Sequence, residues 1–169
     1  MFVLGIDPGL SRCGYGCVAR SGATFRAVAA GVVTTPPDDP IPKRLAMLRY
    51  ELKAIMDEFR PDVVVVERIF CRTNARTAMP VGQASGVALL TAYEQGCAVA
   101  EYTAAEVKLA VTGYGAAPKE QVQAMVVKLL SLAEIPRPPD VSDALALGIC
   151  HLGASPWAQE RALLKRAAG

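Results

Sequence analysis

Apolar positions change period along the chain, and those changes divide it into elements. Phe2-Val3-Leu4-Gly5-Ile6 is a short apolar run of the kind buried in a sheet. It stops at Asp7-Pro8-Gly9, where Pro8 pushes Asp7 into an extended backbone and Gly9 suits a tight turn. Gly14 to Ala19 and Phe25 to Thr34 read as the next two strands, with Ser21-Gly22 as the turn between them, so the chain opens as an antiparallel meander. Past the proline-rich loop from Thr35 to Pro42, the residues Leu45, Leu48, Leu52, Ile55, Met56 and Phe59 keep helical spacing. The opposite face of that helix carries Lys43, Arg44, Arg49, Lys53, Asp57 and Glu58.

Pro61-Asp62 breaks this helix, and Val63 to Val66 is too apolar for a half-exposed strand. It predicts a central strand covered on both faces, with a parallel neighbour, and it ends in Glu67. From Asn74 to Gln95 the pattern is helical and rich in small residues, which predicts close packing against the sheet or a second copy of the chain. Pro80 within it predicts a kink, or a helix beginning near residue 80. Cys97 to Tyr102 is a fifth strand, and Thr103-Ala104-Ala105-Glu106 has the form of a capping box opening a short helix to about Val111. Pro118 suits the first position of a helix to about Leu132, and a last helix runs from near Asp140 to His151. The sum is an α/β chain with a mixed five-stranded sheet flanked by helices. A right-handed crossover pairs the valine strand parallel to the first, placing Asp7 and Glu67 at neighbouring carboxyl ends, where open α/β sheets bind ligands.

Composition narrows the class. With 169 residues, 52% of them hydrophobic, one domain over residues 1–155 is expected, followed by a basic tail over 156–169 that predicts mobility. No apolar stretch approaches the roughly 18 residues of a membrane span, and no basic leader precedes the first strand, so a soluble, cytoplasmic protein without membrane partners is expected. Five cysteines without a C-x-x-C pair suggest neither zinc nor disulfides. A net charge of +2 leaves the question of a polyanionic partner to the placement of the basic residues.

The chemistry lies in four acids: Asp7, Glu67, Asp140 and Asp143. Asp140 and Asp143 stand three apart at a helix start, hence on one face. Three of them have an ordinary use, Asp7 in a turn and the later pair in capping a helix. Glu67, closing a strand of valines, has none. Gathered at one rim, the four would repel one another unless cations sat among them. Oxygen ligands without Cys or His favour Mg2+ or Mn2+, and two such ions about 3.5–4 Å apart serve in-line phosphoryl transfer. A phosphodiester nuclease is predicted. Arg68, Arg72 and Arg76 follow Glu67 with Phe70 among them, and Lys108 and Lys119 flank the 112–117 loop, placements suited to drawing phosphates toward an acidic centre. Phe70 suits either a stacking contact with bases or a place in the core. His151 reads as a helix-end residue rather than a base.

These motifs together resemble the RuvC family of Holliday-junction resolvases, within the RNase H-like nucleases. The likeness spans residues 2–152: Leu4-Gly5-Ile6-Asp7-Pro8-Gly9 with Gly14-Tyr15-Gly16, Val66-Glu67-Arg68-Ile69-Phe70 with Asn74, Val107-Lys108 with Gly113-Tyr114-Gly115, Lys119-Glu120-Gln121-Val122, and Asp140-Val141-Ser142-Asp143-Ala144-Leu145-Ala146. The resemblance implies a homodimer that binds a four-way DNA junction during recombination and repair. It would nick two symmetrically related strands with two Mg2+ per subunit at Asp7, Glu67, Asp140 and Asp143, leaving ligatable 5′-phosphate and 3′-hydroxyl ends. It also implies that Phe70 sits near the opened bases, that Lys108 and Lys119 contact the cleaved backbone, that the small-residue helix forms the dimer interface, and that a branch-migration helicase is a partner. Three other readings share some of these features: a related nuclease of ribosomal RNA precursors, an actin-like ATPase, and a junction-binding module without catalysis.

Overall fold

The computed structural model describes residues 1–69, 75–154 and 156–164, without the side chains of 75–77, 157, 161, 163 and 164. Five strands, β1 (Phe2–Asp7), β2 (Arg12–Ser21), β3 (Thr24–Thr34), β4 (Val63–Glu67) and β5 (Ala98–Tyr102), form one sheet in the order β3-β2-β1-β4-β5. The meander is antiparallel, and β4 pairs parallel with β1 on one side and with β5 on the other. Alternation along the strands divides the core. Leu4, Ile6, Val64 and Val66 pack with α1 (Ile41–Phe59) and α2 (Ala75–Glu94). Val3, Val63 and Val65 pack on the other face with α3 (Ala104–Thr112), α4 (Lys119–Leu130) and α5 (Pro139–Gly153). The four valines are buried from both sides, as expected of a central strand.

What aligns the two faces at one rim is the seating of α5. A Cβ on Gly5 would stand 2.0 Å from the carbonyl oxygen of Ala144, and one on Gly14 would stand 2.2 Å from that of Asp140. Neither distance is possible for a real side chain, so β1 and β2 offer a bare backbone floor on which the first turns of α5 rest. Through Gly14 the helix start is brought to the carboxyl end of β1, because Gly14 is the register partner of Asp7.

Several expectations are corrected. The helix carrying Pro80 does not begin there but runs from Ala75 to Glu94. Pro80 removes one backbone donor, the N–H that would reach the carbonyl of residue 76, and packing of Ala84, Ala88 and Ala92 into the core holds the helix regardless. Its small residues divide by face, since Gly82 and Gly86 look outward with nothing within 4 Å of an added Cβ. Pro118 is the cap of α4 rather than its first residue. Arg44 is no solvated member of a charged face. It is buried, and its guanidinium donates to Thr35 Oγ1 at 2.9 Å and to Ser11 Oγ at 2.7 Å. Where a basic tail is expected from residue 156, Pro156–Leu164 forms a helix, α6, with Ala162 buried and Gln159 Nε2 donating to the carbonyl of His151 at 2.7 Å. The capping box of α3 forms as expected, with Thr103 and Glu106 exchanging both hydrogen bonds. Among the described residues no helix is long and apolar enough to cross a membrane. The described cysteines, Cys13, Cys17, Cys97 and Cys150, are free thiols.

Candidate active site

Asp7 closes β1 and Glu67 closes β4, and the parallel pairing of Ile6 with Val66 makes them neighbours on adjacent strands. The second pair of acids is not a helix cap. Pro138 occupies the cap of α5 without any side-chain bond, Pro139 is its first residue, and Asp140 and Asp143 follow at the second and fifth positions. Freed from capping, both reach toward the rim.

The electrostatics show that the four carboxylates share one site. Burial, then the charges of Glu67, Asp143 and Asp140, push the Asp7 carboxyl up to about 7, against an opposing pull from Lys119. Glu67 is also raised, by burial first and then by Asp143, while a hydrogen bond from the Asp7 carboxyl and the charges of Lys119 and Lys108 oppose the rise. Asp7 and Glu67 therefore tend to hold a proton between them when no other cation is near.

Two basic side chains answer the remaining acids. Lys119 Nζ donates to Asp143 Oδ2 at 2.6 Å. Burial alone would lower the Lys119 ammonium, but that bond and the charges of Asp143, Asp7 and Asp140 raise it, so it is charged throughout the physiological range. Arg12 Nε lies 3.4 Å from Asp140 Oδ2. The contact is ionic only: Asp140 Oδ2 is shut off from solvent and accepts no hydrogen bond.

The orphan oxygen of Asp140 and the mutual repulsion of four hard donors are what a divalent cation satisfies, so the residues present fit such an ion. Among the described residues, no three acidic, His or Cys side chains already surround one point. Lys119 and Arg12 engage Asp143 and Asp140 instead.

Beside the acids opens a cleft of about 210 Å³, lined by Glu67, Asp143, Lys108 and Lys119 over an apolar floor that includes Val107 and Val122. The structure thus gathers Asp7, Glu67, Asp140, Asp143, Lys108 and Lys119 at one place. Arg68 Nη2 donates to the carbonyl of Glu101 on β5 at 3.5 Å. Phe70 and Arg72 lie outside the described residues, as does the side chain of Arg76 on α2. His151 is buried and shares a 3.0 Å hydrogen bond with the Tyr102 hydroxyl, and burial lowers its pKa, which makes it a neutral core residue rather than a base. Arg12 was not expected at the site, although its place directly after the Asp7 turn was a signal that it belonged to the same rim.

A family model described as crossover junction endodeoxyribonuclease RuvC matches residues 3–151. The chain belongs to the RuvC family. A RuvC of Salinispora arenicola is 54% identical over 153 residues, covering 90% of this chain and 87% of the relative. A RuvC of Moorella thermoacetica is 49% identical over 160 residues, covering 94% and 95%. Among solved structures, Thermus thermophilus RuvC superposes with a TM-score of 0.84 at 37% identity, covering 96% of this chain and 98% of that one. The same RuvC in complex with a Holliday junction substrate matches with a TM-score of 0.85 at 35% identity, covering 94% and 98%. The yeast mitochondrial resolvase Ydc2, 15% identical with a TM-score of 0.66, shares the fold.

Proposed function

We infer that this chain resolves Holliday junctions, hydrolysing phosphodiesters of four-way DNA in recombination and repair. The observation that carries this is the meeting of four carboxylates from β1, β4 and α5 beside a lysine-lined cleft, in a member of the RuvC family.

Asp7, Glu67, Asp140 and Asp143 are the proposed catalytic and metal-binding residues, for two Mg2+ per subunit with Mn2+ as a substitute. Ions bound there supply charge for activating the attacking water and for stabilising the leaving oxygen. The chain's own contribution is positional. Asp7 stands on a strand end with Glu67 beside it, so both are fixed by the sheet. Asp140 and Asp143 stand on the same helix turn, fixed by the glycine floor beneath it. Lys108 and Lys119 line the cleft with the acids, where they can draw a backbone phosphate toward a negative centre. Phe70, Arg72 and Arg76 are proposed DNA contacts on their place in the sequence after Glu67.

The homodimer is proposed on the outer face of α2, where Met79, Gly82, Gly86, Leu90 and Tyr93 follow helical spacing and are exposed. Glycines that leave open space beside exposed apolar residues suit the close approach of a second backbone. A branch-migration helicase as partner and a cytoplasmic place rest on family likeness.

The test is cleavage of a mobile four-way junction beside a linear duplex of the same sequence, with Mg2+ and with chelator. Paired nicks confined to the junction and dependent on the ion are expected. Equal cutting of the linear duplex, or cutting in chelator, overturns the reading.

A further inference from the structure

The cations at the rim are not equivalent. Lys119 is bound to Asp143 by a short hydrogen bond, whereas Arg12 faces Asp140 at 3.4 Å without one, and its side chain is 60% exposed. Arg12 opens β2, on the side of β1 away from β4, while Lys108 and Lys119 stand with Glu67 on the β4 side. A DNA backbone laid across the acids therefore meets lysines on one flank and this arginine on the other.

We propose that Arg12 is an exchangeable counter-ion: it occupies Asp140 while no divalent cation is bound, and on metal binding it is released to contact a DNA phosphate on the β2 flank of the site. The inference rests on Asp140 being a metal ligand. Asp140 Oδ2 has no hydrogen-bond donor to lose, so an incoming cation displaces only a loose ionic contact. The freed guanidinium, carried on a rigid strand end, is already at the solvent boundary. A planar fork of donors matches a phosphate bidentately, which a carboxylate oxygen that accepts no hydrogen bond does not exploit.

The test uses the full chain and two readouts other than cleavage. In calorimetric titration of the DNA-free protein with Mn2+, Arg12→Gln should tighten binding roughly two- to fivefold, the effect of removing a partly exposed competing charge. In junction binding, the loss caused by Arg12→Gln should be several-fold in Ca2+ and should nearly vanish in chelator, where Arg12 is engaged by Asp140. Arg12→Lys keeps the charge and should recover the Mn2+ isotherm but only part of the Ca2+-dependent junction binding. An equal loss of junction affinity in Ca2+ and in chelator overturns the exchange, as does a Mn2+ isotherm that Arg12→Gln leaves unchanged. Asp140→Asn separates the two ideas. If it leaves Mn2+ binding untouched, Asp140 is not a ligand and the metal assignment fails. If it weakens Mn2+ binding while Arg12→Gln changes nothing, only the role of Arg12 fails.

Discussion

The seam between α5 and the sheet and the acid rim directly above it are opposites. At the seam, backbone rests on backbone, with no space for even a methyl group on Gly5 or Gly14. At the rim, four carboxylates crowd together, one raised to about 7, and one oxygen of another is left without a donor. The first region explains how the second persists. Carboxylates on mobile loops would relax apart, but these stand on two strand ends and on one helix whose height above the sheet is fixed. Tight packing here holds like charges together, and that mutual repulsion is what the proposed divalent cations would relieve.

The largest effect that sharpens this contrast is expected of Asp7→Asn. Cleavage of a synthetic junction should fall to background while gel-shift binding survives, and cleavage near the wild-type rate would remove Asp7 from the centre.

Next comes the seam itself. Gly14→Ala must push α5 away from β2, so a loss of about 1–3 kcal/mol in chemical denaturation is expected, together with weakened Mn2+ binding. Gly86→Ala on the open face of α2 is the control. It should raise monomer stability by up to about 1 kcal/mol through helix propensity, and any loss it causes should appear only in the proposed self-association, as measured by sedimentation.

The pH dependence of the metal-free protein is smaller and has a definite sign. Asp7 ionises near pH 7 in the folded chain against an ordinary 3.8, so its favourable contribution is complete below pH 3.8 and is lost as pH rises through 7. Stability of the chelated protein attributable to Asp7 should fall from pH 5 to pH 8 by on the order of 2 kcal/mol, allowing for screening. Asp7→Asn should abolish that fall, and Mg2+ should raise Tm more at pH 8 than at pH 5. An equal Mg2+ effect at both values would mean that the acids do not repel as their proximity requires. Smallest is the lysine flank: neutralising Lys108 or Lys119 should reduce the slope of log affinity against log salt by about one.

The meander, the parallel pairing of β1 with β4 and the gathering of Asp7 and Glu67 were legible because each depends on local hydrophobic runs and one handedness rule, whereas the place of β5 beside β4 was not. Asp140 and Asp143 were legible as a pair, though their place past the cap was not, since Pro138 and Pro139 set the start of α5 and the glycines of β1 and β2 set its position. Arg44 and Arg12 were misread or missed for one reason. Whether an arginine is solvated, buried or turned to a carboxylate is decided by residues distant in the chain: Thr35 and Ser11 for one, Asp140 for the other. His151 was likewise placed by Tyr102, from a different element.

Arg44 also joins α1 to the turn that carries Asp7. Its guanidinium grips the hydroxyls of Ser11 and Thr35, and Thr35 Oγ1 in turn donates to the carbonyl of Leu10. A helix on the far face of the sheet is thereby fastened by side-chain hydrogen bonds to the segment that follows the first acid, so the aim of Asp7 is coupled to the seating of α1.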